Sequence, residues 1–142
     1  MTFMVTFKVE GAPQGKGRPK FSRQGGFVRA YTPKATIDYE NLIKASAMLA
    51  MGASVPLETP VEVYLYVTKA IPASYSKKKR MECLEQIHQP ITKPDIDNIL
   101  KAYLDAMNEV VYKDDKQVVT IHATQVYGTD PMVEVLVREN LQ

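Results

Sequence analysis

The chain has 142 residues, 45% of them hydrophobic and 24% charged, with a formal net charge of +2. That is the make-up of one globular domain, not of a disordered segment. Its apolar runs are too short for a membrane span and its start lacks the pattern of a secretory signal, so no membrane insertion or signal peptide is expected. A single cysteine, Cys83, allows no internal disulfide. A reducing compartment, by default the cytoplasm, is the expected location.

Thr2 to Glu10 alternates, with Phe3, Val5, Phe7 and Val9 on one face, so a half-buried strand is expected. GAPQGKGRPKFSRQGGFVRAYTP follows as a long loop with a small hairpin around Gly25–Gly26. Thr32 and Pro33 have the chemistry of an N-cap and a first helical position. The helix should run to about Ala50, with Ala35, Tyr39, Leu42 and Leu49 on its inner side. Val61 to Thr68 alternates again, Val61, Val63, Leu65 and Val67 pointing inward. Ser74 or Ser76 caps a short charged helix reaching about Gln86. HQPITKP is extended, because proline biases the residue before it away from helix. Asp95 opens a helix ending near Asn108, its apolar face formed by Ile96, Leu100, Tyr103, Leu104 and Met107. Val118 to Tyr127 is a strand and Met132 to Arg138 its expected hairpin partner, with YGTDP as the turn. No repeat or linker divides residues 1–142, so one domain is expected. About four main strands and two to three helices, not strictly alternating, predict an α+β (mixed α/β) fold with a mixed sheet.

Charge is unevenly spread. Pro13 to Lys34 carries six basic residues and no acid. Lys16, Arg18, Lys20, Arg23 and Arg29 are candidate contacts to nucleic-acid phosphates. Phe21, Phe27 and Tyr31 are interleaved with them. They are expected to pack beneath the loop, stacking on unpaired bases being the alternative. Gly15-Lys16-Gly17 is not a phosphate-binding P-loop, since no Gly-Lys-Ser/Thr follows. Lys77 to Arg80 reads as a solvated helix face. Cys83 should pack on that helix, His88 has no ligand spacing, and His122 reads as a structural histidine in mid-strand. No Ser/His/Asp or Cys/His arrangement is visible.

The acids gather in KPDIDNILKAYLDAMNEVVYKDDKQV, which holds Asp95, Asp97, Asp105, Asp114 and Asp115. Crowded carboxylates need a raised pKa, an ion pair or a bound cation. Asp95 and Asp97 alone would be an N-cap and a partner of the helix dipole. Asn98 adds a third polar group to that turn. Asp114–Asp115 falls in the connection to the next strand and, alone, is a solvated turn. If the two groups meet, an all-oxygen donor set without cysteine or a histidine cluster favours Mg²⁺, with Mn²⁺ as a substitute. Lys101, four residues after Asp97, is either an exposed ion-pair partner or a donor that offsets developing charge. Asp105 could hold it in place.

The segment resembles the RusA family of Holliday junction resolvases in KPDIDNILKAYLDAMN followed by VVYKDDKQV. A weaker likeness in element order and in the early basic loop covers most of the chain. The resemblance implies a homodimeric, Mg²⁺-dependent endodeoxyribonuclease that cuts four-way DNA junctions in recombination and repair. By motif position the metal-binding carboxylates are Asp95, Asp97 and Asp115, Asp114 being a neighbour of open role, and Lys101 is the functional lysine. The stretch SKKKRMECLEQI is longer than short members of the family are expected to have. It leaves the sequence preference and the shape of the DNA channel open. Two other readings stand beside this one: a non-catalytic branched-DNA-binding protein with a structural cation site, and a nuclease for flaps or other branched DNA.

Overall fold

A computed structural model of the chain describes residues 2–17 and 20–141, the side chain of Gln24 excepted. In chain order the elements are β1 (Met4–Glu10), β2 (Lys20–Gln24), β3 (Phe27–Tyr31), α1 (Lys34–Met51), β4 (Val61–Ala70), α2 (Lys77–Leu84), α3 (Ile96–Met107), a short 3-10 turn (Asp115–Gln117), β5 (Val118–Gly128) and β6 (Met132–Glu139). Four strands form one sheet in the order β1-β6-β4-β5, and β2–β3 is a separate hairpin. The β1–β6 and β4–β6 pairs are antiparallel and β4–β5 is parallel. This is the expected α+β fold with a mixed sheet. No helix among the described residues is long and apolar enough to cross a membrane.

The expected β5–β6 hairpin does not form. β4 lies between the two strands. Val61, Val63, Leu65 and Val67 are almost fully buried, and β4 pairs with β6 on one side and β5 on the other. The YGTDP turn therefore steps over the end of β4. Gly128 permits the close passage, since a Cβ there would stand 2.5 Å from Thr68 Cγ2.

Parallel strands need a crossover, and α2 and α3 provide it between β4 and β5. α1 and α3 cover the face of the sheet that carries Val5, Val9, Val61, Val63, Leu65, Val133, Val135 and Val137. The two helices meet where the Tyr39 and Tyr103 hydroxyls bond at 2.6 Å. Their buried stripes differ from the expected ones. In α1, Thr36, Tyr39, Ile43, Ala47 and Met51 are buried, whereas Leu42 and Leu49 face outward. The four-residue step from Tyr39 to Met51 defines a narrow stripe in which small Ala47 allows close approach. In α3 the buried residues are Ile99, Ala102, Tyr103, Ala106 and Met107, with Leu100 and Leu104 at the margin. The α1 N-cap is Pro33, one residue later than expected. Ser76 caps α2 by accepting from the Lys79 backbone N–H at 3.2 Å.

Candidate active site

Asp95 is the N-cap of α3 in backbone geometry only. Its φ of −68° and ψ of 148° are extended and its carbonyl accepts from the Ile99 N–H at 3.1 Å, yet its carboxylate makes no capping hydrogen bond. The ordinary structural use of an N-terminal Asp is therefore not realised here. Asp97 lies in the first turn of the helix. Both side chains are exposed, at the end of a helix whose free N–H groups favour negative charge.

The second acidic pair is divided in its roles. The Asp114 carboxylate caps the 3-10 turn by accepting from the Lys116 N–H at 2.9 Å, and Gln117 Oε1 accepts from the Asp114 N–H at 2.9 Å. That backbone hydrogen bond lowers the Asp114 pKa. The Asp115 N–H instead donates to Asn108 Oδ1 at 2.8 Å, which leaves its carboxylate free of the cap. Burial, then the hydrogen bond and charge of Asp114, then the charge of Asp105 raise the Asp115 pKa, and Lys101 opposes them. Gln117 fastens this turn to the chain before β4 by donating to the Leu57 and Thr59 carbonyls, each at 2.9 Å.

Lys101 extends into solvent with its side chain 62% exposed, and its ammonium lies 4.0 Å from Asp105 Oδ2. It leans toward Asp105 rather than forming an ion pair with Asp97. The acids thus sort along α3. Asp95 and Asp97 stand at the N-terminus, and Asp105 and Asp115 gather toward the other end. Asp97 and Asp105 are eight residues apart, or about 12 Å of helix rise. Among the described residues, no three His, Cys, Asp or Glu side chains come close enough to hold a metal ion together.

The basic loop is rooted against the N-terminus of α3. The Lys16 N–H donates to the Asn98 carbonyl at 3.0 Å. A Cβ on Gly15 would stand 2.9 Å from Asn98 Cβ and 3.2 Å from Pro94 Cβ, so only glycine allows this approach. Gly17 is closer still to Thr36, since a Cβ there would stand 2.2 Å from Thr36 Oγ1, which accepts the Gly17 N–H at 3.0 Å. Between them the Lys16 ammonium pairs with Glu40 of α1 and, at 3.1 Å, with Asp105 of α3. Its charge is directed inward, away from the outer surface of the loop. Arg18 lies outside the described residues.

Lys20, Arg23 and Arg29 are exposed on the β2–β3 hairpin. So are the aromatic residues, contrary to expectation: Phe21 is 71% exposed, Phe27 78% and Tyr31 47%. The ribbon has no apolar layer beneath it to receive them, and every residue of β3 is exposed. Register puts Lys20, Tyr31, Arg29 and Phe27 on one face and Phe21, Arg23 and Val28 on the other. Each face therefore offers both cationic and apolar contacts.

A sequence model of the family "Endodeoxyribonuclease RusA" matches residues 10–138. The chain belongs to the RusA family. It is accordingly an endodeoxyribonuclease by family, a hydrolase of phosphodiester bonds. It is also 34% identical over 138 residues to "Uncharacterized protein YqaN" of Bacillus subtilis (strain 168), a match that spans 95% of this chain and 96% of that protein. The RusA match includes the acidic segment and the basic hairpin alike.

The carboxylates of Asp95, Asp97 and Asp115 are hard oxygen donors of the kind that Mg²⁺ and Mn²⁺ take. In chemistry they fit such an ion, Asp95 and Asp97 as an exposed pair and Asp115, whose carboxylate is hydrogen-bonded to Asp114, as a separate donor. Four supporting residues escaped the sequence reading. Asn108 and Gln117 orient the Asp115 turn, and Lys69 and Gln125 hold the chain ahead of Asp95. Asn108, Lys69 and Gln125 act on backbone groups outside their own elements, which nothing local marks beyond the charge of Lys69 in the inward row of β4, whereas Gln117 stands three residues after Asp114 in the spacing of a capping box.

Proposed function

We propose that this chain is a Mg²⁺-dependent endodeoxyribonuclease that resolves four-way DNA junctions by paired cuts, in recombination and repair, as a cytoplasmic homodimer. The observation that carries the reading is the docking of the basic hairpin's root on Asn98 and Pro94, beside the free carboxylates of Asp95 and Asp97. A phosphate-gripping arm and a cation-binding pair thereby serve one stretch of DNA. Lys20, Arg23 and Arg29 engage phosphates, as does Arg18 by its place in the basic run, while Phe21, Phe27 and Tyr31 offer stacking surfaces to the unpaired bases of a branch point. Lys16 is assigned to holding the loop root.

Asp95, Asp97 and Asp115 are the proposed ligands. When bound, Mg²⁺ or Mn²⁺ supplies Lewis acidity toward the scissile phosphate and lowers the pKa of the attacking water. Lys101 provides a mobile positive charge that offsets the charge developing on the phosphate and the leaving oxygen. Asn108 fixes the backbone from which the Asp115 carboxylate projects. Among the described residues Asp115 does not close a three-acid cluster with Asp95 and Asp97, and binding of the ion and DNA is proposed to bring the three together. A two-fold dimer matches the approximate symmetry of a four-way junction and supplies a site for each of two opposed strands.

The separation of the acids is also what a non-catalytic branched-DNA-binding protein would show. One experiment divides the readings. A labelled immobile four-way junction and its matching linear duplex are incubated with the protein, with and without Mg²⁺. Paired nicks in the junction alone, dependent on Mg²⁺, are expected. Binding without cutting would defeat the catalytic reading, and equal cutting of simple flaps would favour a general branched-DNA nuclease.

A further inference from the structure

Lys69 continues the inward row Val61, Val63, Leu65, Val67 of β4 and is only 4% exposed. A lysine in an apolar row is costly to bury unless its donors are satisfied. Its ammonium donates to the Thr92 carbonyl at 2.6 Å and to the Pro94 carbonyl at 2.8 Å. Burial lowers its pKa, and the nearby charge of Asp95 opposes that shift. On the neighbouring strand, Gln125 pairs in register with Val67 and donates from Nε2 to the Pro90 carbonyl at 3.0 Å. Gln125 Oε1 is buried without a partner. Three backbone carbonyls between Pro90 and Pro94 are thus gripped from the sheet. The next residue is Asp95, whose own carboxylate is held by no cap.

We propose that Lys69, assisted by Gln125, is a positioning residue that fixes the backbone entering α3 and so sets where the Asp95 carboxylate stands, its positive charge lessening the repulsion between Asp95 and Asp97. Neither side chain touches substrate. The inference rests on the reading of Asp95 as a metal ligand. A neutral residue at position 69 takes the ammonium donor from the part-buried Thr92 and Pro94 carbonyls, and the turn ahead of Asp95 moves to find new donors. The Asp95–Asp97 pair then loses both its geometry and its nearby cation.

The test uses the full chain as Lys69→Met and, as a milder change, Gln125→Leu. Mn²⁺ binding to the metal-free protein is followed by electron paramagnetic resonance, and amide exchange is followed across residues 90–98. Lys69→Met should weaken Mn²⁺ binding by about tenfold or more, by analogy with lost supporting contacts at other metal sites. It should speed exchange locally and raise the Mg²⁺ needed for half-maximal cleavage, with junction affinity in the absence of metal unchanged. Gln125→Leu should do the same more weakly. If Lys69→Met does not fold, Gln125→Leu carries the test. A folded variant with wild-type Mn²⁺ affinity and wild-type exchange at 90–98 overturns the inference. So does a loss of thermal stability with no change in metal demand, which is the mark of a merely structural lysine. A wild-type chain that binds no Mn²⁺ would instead sink the metal reading itself and this inference with it.

Discussion

Lys16→Met should detach the loop root from the helix layer, at a cost that can be worked from the structure. The Lys16 ammonium bridges Glu40 and Asp105, and the three side chains are 25%, 23% and 28% exposed. An open surface pair contributes about 0–1 kcal/mol, and a hydrogen bond to a charged partner about 1.5–3 kcal/mol. The bridge is three-quarters shielded, so about 2 kcal/mol is expected for it as a whole. At a specific unfolding entropy of about 2.1 cal/mol/K per residue, a chain of 142 residues loses about 3 °C per kcal/mol, hence about 6 °C in Tm. Burial acts to lower the Lys16 pKa, but the hydrogen bonds and charges of Glu40 and Asp105 prevail and raise it. The contribution is therefore fully present below the ordinary lysine pKa and is lost as pH rises through the native value, above 10.5. The assay is thermal denaturation at pH 7 of Lys16→Met, Glu40→Gln and the double variant. A coupling energy near 1 kcal/mol or more is expected between the two positions. Coupling below about 0.3 kcal/mol, within ordinary additivity, would refute the bridge and leave the Gly15 and Gly17 contacts as the whole of the anchor.

Asp95→Asn and Asp97→Asn should each abolish cleavage while retaining junction binding, since less negative charge near phosphates does not weaken attraction; full activity in either folded variant removes that residue from the site. Lys101→Ala should lower single-turnover cleavage at saturating protein by about 100-fold with little change in affinity, and the opposite split would make it only a binding contact. Arg23→Ala with Arg29→Ala should weaken junction binding and reduce the slope of log K against log salt by about two units, one for each lost phosphate contact; an unchanged slope means that the hairpin points away from DNA. Asp115→Asn should raise the melting temperature of the metal-free protein at pH 7. The raised native pKa means that protonated Asp115 favours the fold and that this contribution is lost as pH rises through it, so the gain should shrink as pH falls toward 3.8. A gain independent of pH would show that Asp115 is not strained by its neighbours.

The strands were legible wherever one face alone is buried. Val5 and Val9, and Val61 through Val67, follow a two-residue period that nothing else explains. Helix positions were legible too, but their faces were not. Leu49 is among the most apolar residues of α1 and is 86% exposed, while Thr36 is buried because its hydroxyl receives the Gly17 N–H. Hydrophobicity ranks residues one at a time, whereas the stripe is chosen by what the neighbouring helix can approach. Insertion of β4 between β5 and β6 is likewise absent from local sequence: the turn YGTDP has the same chemistry whether the strands it joins are adjacent or one strand apart.

The acidic site shows a sharper version of the same division. Spacing alone presents the aspartates as equivalent carboxylates. The fold gives some of them structural work: Asp105 anchors Lys16 and Asp114 caps a turn, as Glu62 elsewhere binds Arg138 and Tyr64. Asp95 sits where capping would be the ordinary use, yet its carboxylate makes no cap, and the Asp115 carboxylate stays out of the cap that Asp114 makes. At Asp115, burial first and then the hydrogen bond and charge of Asp114 disfavour the charged form, so its carboxylate does not stabilise the free chain. Such a residue can be replaced by its amide with no loss of fold, and only a reaction or a ligand can then register the change. Absence from caps and ion pairs, which spacing cannot reveal, therefore separates Asp95, Asp97 and Asp115 from Asp105 and Asp114 among the described residues. It also singles out Lys101, exposed and loosely held, from Lys16 and Lys69, whose ammonium groups are engaged by Asp105 and by the Thr92 carbonyl.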